Sequence, residues 1–438
     1  MYGKVFLLKV SFYTLGCRLN QAETAIIAKS FQSRGYELAE FGQAADMTVI
    51  NTCTVTEQAD SKCRQVVRNI LRNSPDTYVA VVGCYAQMAV DTIREIPGVD
   101  MIMGNEHKLK IADYINGLEK QDTPIVIHSP KISRDEFTIE SYGLYDNSTR
   151  ANLKIQDGCN FVCGFCIIPT ARGPARSRKL DDILEEAQTL VGLGHQELVL
   201  TGVNIGTYAS EGNSVMTILD ELEKIDDLKR IRISSIEPTT IASEIVERMA
   251  DSEKLCKHLH IPLQSGDDQI LKLMRRKYDT REFASFIEYV EKTVPGVGIG
   301  TDVMVGFPSE DTEAFINTKK FMADLPIVYY HVFTYSDRQG TTSFRMKEKV
   351  PHEEKKKRTR ILIDQGTRKK QAFFDRYIGR ESSVLFESQN KDGMWTGYMS
   401  NYINVAVASN EDLHNRIRKV RLTGFANGRM TAELTDPE

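Results

Sequence analysis

"NLKIQDGCNFVCGFCIIPTARG", residues 152–173, joins a short strand-like run to a loop that holds Cys159, Cys163 and Cys166, separated by three and then two residues. Three thiols are one too few for a closed zinc site or a ferredoxin-type cluster, each of which takes four protein ligands. On a cubane 4Fe-4S cluster, however, three thiolates leave one iron without a protein ligand, free to chelate a small molecule through amino and carboxylate groups. Zinc with a distant fourth ligand, such as a histidine, is the alternative for this loop.

The run before the loop opens an alternating series. "NLKIQ", "ELVLTG", "RIRISSI", "HLHIPL", "GIGTDVMVGF" and "VYYHVFTY" read as strands separated by helical patterns. Six β/α units are two short of a full barrel, which predicts a partial, open (β/α)6 barrel over 150–375. Upstream, "VSFYTL", "MTVI" and "YVAVV" alternate with amphipathic stretches, the pattern of a parallel-sheet α/β domain over 1–128. A polar linker over 129–149 separates the two. From 376 to 438, short runs such as "SSVLFES" and "YINVAVA", broken by Gly and Asn, predict a small antiparallel β-barrel.

Cys17, Cys53 and Cys84 each follow one of the first three strands, in "YTLGC", "VINTC" and "VVGC". Loops at the carboxyl ends of parallel strands gather on one edge, so three distant cysteines are expected to converge on a second metal site. Cys63 and Cys256 stand outside any motif and read as small buried apolar residues.

Composition bounds the rest. A chain of 438 residues with 41% hydrophobic and 26% charged content is globular and too long for one core. No stretch approaches the roughly 18 apolar residues of a membrane span, and the first residues lack a cleavage site, so a cytoplasmic protein is expected. Eight cysteines in such a chain point to metal or redox chemistry before disulfides. The net charge is -4, yet Arg345 to Arg376 holds twelve Lys/Arg against five Asp/Glu. That segment is either a solvated helix or a phosphate-binding surface.

C-x3-C-x2-C after the first strand of a barrel resembles the radical S-adenosylmethionine (SAM) superfamily, and "GCNFVCGFCIIPTARGPARSR" resembles its methylthiotransferase family in particular. The likeness extends through "TLGCRLNQAET", "INTCTVTEQAD", "VVGCYAQ", "LTGVNIGTY", "RISSIEP", "HIPLQSGDDQILKLMRRKY" and "DVMVGFPSE", and the last segment looks like a TRAM barrel. Thr170 departs from the pattern, standing where relatives usually carry an aromatic residue.

The resemblance implies two 4Fe-4S clusters. Cys159, Cys163 and Cys166 would hold the one that binds SAM and, once reduced, cleaves it to a 5′-deoxyadenosyl radical. Cys17, Cys53 and Cys84 would hold an auxiliary cluster where a sulfur species is methylated. By analogy, Thr201 and Gly202 would meet the SAM amino group, and Ser235 and Glu237 its ribose or methionine part. Val305 and Gly306 would line the adenine, with Gln264 and Ser265 at another strand end; loop and helix capping is the alternative role for such residues. "TLGCRLNQAET", with Arg18, Asn20 and Glu23, looks most like the enzymes that act on threonylcarbamoyladenosine in the anticodon loop of tRNA. Isopentenyladenosine in tRNA and an aspartate of a ribosomal protein are the rival substrates, and a noncatalytic iron-sulfur carrier or redox sensor is the rival of another class. An electron donor such as a flavodoxin or ferredoxin is implied, as is a sulfur donor of unknown kind.

Overall fold

The computed structural model describes residues 7–140, 142 and 149–435. Part of the expected linker, residues 141 and 143–148, lies outside them, as do 1–6 and 436–438.

The first body is a six-stranded sheet, parallel throughout, built from β1 (Lys9–Thr14), β2 (Glu37–Ala39), β3 (Met47–Thr52), β4 (Tyr78–Gly83), β5 (Met101–Met103) and β6 (Ile125–Ile127) in the order β2-β1-β3-β4-β5-β6. Every residue of β3 and β4 is buried. A strand covered on both faces needs an unbroken apolar run such as Tyr78–Val82. Helices α1 (Arg18–Gln32), α2 (Glu57–Asn73), α3 (Cys84–Met88) and α4 (Val90–Arg94) connect the strands.

The second body is an arc of parallel strands, β7 (Arg150–Lys154), β10 (Glu197–Thr201), β11 (Arg230–Ile233), β12 (His258–His260), β13 (Gly298–Val305) and β14 (Tyr329–Thr334). They pair as two sheets, β11-β10-β7 and β12-β13-β14. The bridges Ile231↔Leu255 and Ser235↔His260 join the halves. A short antiparallel pair, β8 (Gln156–Asp157) with β9 (Arg176–Ser177), flanks the cysteine loop, and α5 (Ile168–Arg172) follows it. Helices α6 (Leu180–Gly192), α7 (Val215–Glu223), α8 (Ser243–Asp251), α9 (Asp268–Leu273), α10 (Thr280–Thr293) and α11 (Thr312–Asp324) lie between the strands in sequence. The largest apolar core sits between arc and helices and takes alternate strand residues: Ala151, Leu153, Leu198, Leu200, Ile231, Ile233, Leu259, Ile299 and Val303. The period of two then turns the intervening residues inward, and most of these are polar: Asn152, Lys154, Glu197, Thr201, Arg230, Arg232, His258, His260 and Asp302.

After α12 (His352–Asp375) comes a closed barrel of β15 (Glu381–Gln389), β16 (Met394–Met399), β17 (Asn404–Ala408), β18 (Ile417–Ala426) and β19 (Arg429–Leu434). The expected all-antiparallel pairing needs one correction. β17 and β19 run parallel, Val405 opposite Met430, because β19 folds back from the β18 hairpin and closes the ring on β17. The turn after β16 seats this barrel on the amino ends of the arc strands. Arg230 donates to the carbonyls of Tyr398 (2.8 Å) and Ser383 (2.9 Å), and Arg232 to that of Ser400 (3.0 Å). No helix among the described residues is long and apolar enough to cross a membrane.

Candidate iron-sulfur and SAM site

Cys17, Cys53 and Cys84 follow β1, β3 and β4, three neighbouring strands, so their loops share one edge of the sheet. Cys17 is the N-cap residue of the 15-residue α1, Cys53 directly follows β3, and Cys84 begins α3. The approach is close. Gly16 has φ +113°, and a Cβ there would stand 2.7 Å from the Cys53 Cβ and 3.1 Å from its Sγ. Gly83, with φ +98°, turns the chain from β4 into Cys84 where a Cβ would meet the Asn51 side-chain oxygen at 2.6 Å. Only glycine fits such positions without strain. Asn105 Nδ2 donates to Cys84 Sγ at 3.5 Å. Burial pushes the Cys53 thiol up to about 11, with Cys84 and Cys17 adding to the rise and Arg172 opposing it.

The second set is Cys159, Cys163 and Cys166, in the loop between β8 and α5. The Phe161 amide donates to Cys159 Sγ at 3.3 Å, and Arg276 Nη1 donates to Cys163 Sγ at 3.3 Å. The same guanidinium pairs with Glu237, and its Nε donates to the Tyr278 hydroxyl at 3.0 Å. Burial raises the Cys166 thiol to about 12, with the Cys163 and Cys159 thiols contributing to the rise. Mutual repulsion of this kind is what a cluster of cationic iron removes, since a coordinating thiol gives up its proton.

Each site offers three cysteine thiols, the donor set that suits a 4Fe-4S cluster with one iron left open. Among the described residues, His260, Asp302 and His331 form the one trio of His, Cys, Asp or Glu side chains whose donor atoms all fall within 4.8 Å of one another.

A buried charge network holds the two sets against each other. Glu23, on the helix that Cys17 caps, pairs with Lys108 (2.5 Å), Lys154 of β7 (2.8 Å) and Arg172 of α5 (2.9 Å). Asp157, two residues before Cys159, accepts from Lys154 and Arg172, each at 2.9 Å, and from Arg176 at 3.3 Å. Arg172 also donates to Asn20 Oδ1 at 2.6 Å. Burial opposes the Glu23 charge, yet Arg172, Lys108 and Lys154 outweigh it and hold this carboxyl well below its usual range. The inner wall adds His260, whose ring meets Asp302 Oδ1 at 2.9 Å, and His331 at 3.4 Å from the same oxygen.

The expected SAM contacts divide. Glu237 is half-buried and tied through Arg276 to Cys163, and Ser235 is half-buried at the end of β11, bridged to His260. Gln264 is half-buried with φ +74°. Gly202 packs on Gln156, whose side-chain oxygen accepts from the amides of Val203 and Asn204. Gly306, with φ +74°, is covered by Lys355. Three further residues have their side chains committed elsewhere. Val305 is fully buried in the core between strands and helices, and the alternation of β13 turns the half-buried Met304 to the inner face instead. Ser265 is also fully buried, its hydroxyl bonded to Thr318 of α11. The Thr201 hydroxyl is committed to the Leu153 carbonyl at 3.1 Å. Arg276, His260, Asp302 and Arg172 also belong to the networks described above, and the sequence reading does not name them. All four lie within the quoted motifs, and the polar inner positions of "HLHIPL" and "GIGTDVMVGF" were the available signal. Cys63 and Cys256 are both buried outside the two sets.

Comparison with known proteins follows the same division. Residues 9–104 match the Uncharacterized protein family UPF0004, and residues 153–322 match the Radical SAM superfamily. The threonylcarbamoyladenosine tRNA methylthiotransferase MtaB of Bacillus subtilis is 39% identical over 420 residues, 94% of this chain and 93% of that one. The MtaB protein of Aquifex aeolicus is 39% identical over 88% of this chain and 94% of its own. A tRNA-2-methylthio-N(6)-dimethylallyladenosine synthase of Fusobacterium nucleatum is 32% identical over 87% and 89%. Among solved structures, the radical S-adenosylmethionine methyltransferase TsrM of Kitasatospora setae shares the fold over 77% of each chain, with a TM-score of 0.55 at 13% identity. Two cysteine sites on a sheet edge and a partial barrel, in a chain that aligns almost end to end with such enzymes, place it plainly: it belongs to the radical SAM methylthiotransferase family.

Proposed function

We propose that this chain inserts a methylthio group at C2 of N6-threonylcarbamoyladenosine, the nucleotide on the 3′ side of the tRNA anticodon. In this reading Cys159, Cys163 and Cys166 hold the 4Fe-4S cluster that binds SAM, and Cys17, Cys53 and Cys84 hold the auxiliary one. The observation that carries it is the Glu23 network, which fixes two three-cysteine sites around one polar interior in a chain whose relatives in Bacillus subtilis and Aquifex aeolicus are named for this reaction. When bound, a reduced cluster with SAM supplies a carbon radical able to take hydrogen from an aromatic C–H that acid-base chemistry leaves inert.

The protein's own part is positioning. Arg276 ties Cys163 to Glu237, linking the cysteine loop to the segment that follows β11. Arg172 and Asn105 reach from one set to the other: Arg172 binds Glu23 and Asn20 of α1, and Asn105 joins Cys84 Sγ to the Ala171 carbonyl at 2.6 Å. A flavodoxin or ferredoxin is the class of electron donor such a site requires. Replacing Cys17, Cys53 and Cys84 together by Ala is expected to abolish methylthiolation while 5′-deoxyadenosine formation persists at a reduced rate. Iron analysis and assay of both products check it, and undiminished methylthiolation would reduce these cysteines to a structural role.

Binding of tRNA is assigned to α12 and the terminal barrel. The segment does not present all its charge to solvent. Arg358 is buried against Glu310 at 2.6 Å, Lys355 lies half-buried over Gly306, and Lys369 donates to carbonyls that end α11. Lys356, Lys357, Arg360 and Arg368 remain exposed. Changing these four to Gln is expected to lower the log–log salt slope of tRNA binding by roughly 0.7 to 0.9 per lost phosphate contact. A titration across salt concentrations measures it, and an unchanged slope would make α12 a solvated helix.

A further inference from the structure

Arg18 directly follows Cys17 and opens α1. Among the described residues its guanidinium has one hydrogen-bond partner, the Tyr402 hydroxyl at 2.7 Å, and no carboxylate within 4.0 Å. The other guanidinium groups at this end of the arc are matched. Arg150 pairs with Glu387 at 2.5 Å, Arg232 with Glu197 at 2.6 Å, and Arg230 donates to two carbonyls of the terminal barrel. Tyr402 reaches in from that barrel at φ +70° and stacks on His258 and Tyr398 at ring distances of 4.5 and 4.8 Å. Burial alone would raise its phenol, but Arg18, Arg150 and Arg232 bring it below its ordinary value. Four arginines stand here against two carboxylates; Arg150 pairs with Glu387, Arg230 and Arg232 share Glu197, and among the described residues Arg18 pairs with neither.

Beside this group a cavity of about 430 Å3 is lined by Tyr329, His331, Tyr398 and Tyr402. His331 is 56% exposed, with its ring on Asp302. A half-buried guanidinium with spare donors suits a carboxylate, which it can take in two parallel hydrogen bonds. The phenol and imidazole groups around it suit hydroxyl and amide partners. A purely apolar substituent would desolvate this wall without replacing its hydrogen bonds. In adenine, C2 and C6 flank the same N1 and C6 carries N6, so a group that reads an N6 substituent stands beside the group that acts at C2. Adjacency of Arg18 to Cys17 has that arrangement.

We propose that Arg18 reads the terminal carboxylate of the N6 substituent, exchanging the Tyr402 hydroxyl for it, and so selects threonylcarbamoyl over dimethylallyl adenosine. This rests on the reaction proposed above and deepens it. The test uses reconstituted holoenzyme and two anticodon stem-loop RNAs, one with N6-threonylcarbamoyladenosine and one with the same group as its carboxamide. Equilibrium binding and turnover are both measured. Wild type is expected to favour the acid by roughly tenfold or more, as a charge-assisted pair contributes. Arg18→Gln is expected to lose that preference at unchanged iron content, Arg18→Lys to keep part of it, and Tyr402→Phe to keep it in full. Equal binding of acid and amide by wild type, a preference that survives in Arg18→Gln, or its loss in Tyr402→Phe would each overturn the assignment. Turnover of a dimethylallyl stem-loop with none of the threonylcarbamoyl one would instead overturn the substrate reading itself.

Discussion

Replacing Cys159, Cys163 and Cys166 together by Ala leaves a chain that carries one cluster in place of two and forms no 5′-deoxyadenosine from SAM under dithionite. The expectation follows from the position of the three thiols. They are the set joined through Arg276 to Glu237 at the carboxyl end of the arc, where parallel strands collect their ligand-binding loops. The auxiliary set sits instead on the edge of a separate sheet. Deoxyadenosine formation by the triple variant, measured by chromatography after anaerobic reconstitution, would reverse the assignment of the two sites.

Glu23→Gln is expected to be the most destabilising single change outside the cysteines. The carboxylate is fully buried and stands among Lys108, Lys154 and Arg172. Its removal leaves Lys154 and Arg172, with Arg176, to Asp157 and takes away the carboxylate that Lys108 pairs with. Breaking a buried ion network by deleting one partner costs on the order of 3–5 kcal/mol, because the charges left behind are already desolvated. Lys108→Met is expected to cost less, since Glu23 keeps two partners. The sign with pH follows from the depressed Glu23 value. Its contribution is complete above the ordinary carboxyl value of 4.5 and is lost as the pH falls towards the folded-state value. Denaturation midpoints of the two variants, with the iron content of each, check the order. A Glu23→Gln midpoint equal to wild type would remove the network from the account.

How much of this was legible beforehand depended on periodicity. The six arc strands were readable because each carries an apolar face at period two, and Cys17, Cys53 and Cys84 were readable because each follows such a run. The same period placed Val305 on the outer core and Met304 inside, a distinction lost when a motif is read as a block. Charge was the less legible part. Arg358 and Lys355 belong to a run of four basic residues, yet the helical repeat turns Arg358 onto Glu310 and Lys355 towards Gly306 while Lys356 and Lys357 face solvent. Tyr402 was out of reach altogether. It lies more than 380 positions from Arg18, in a turn of another body, and only the docking of the terminal barrel brings the two together.

The most direct measurement of the central claim is mass spectrometry of nucleosides from bulk tRNA of a strain lacking this gene, with and without the gene restored. The account predicts that 2-methylthio-N6-threonylcarbamoyladenosine disappears and its unthiolated precursor accumulates, and that the wild-type gene restores the product while the Cys159, Cys163 and Cys166 variant does not. An intact methylthio-threonylcarbamoyladenosine peak, with loss of the dimethylallyl derivative or of the ribosomal methylthio-aspartate, would contradict it.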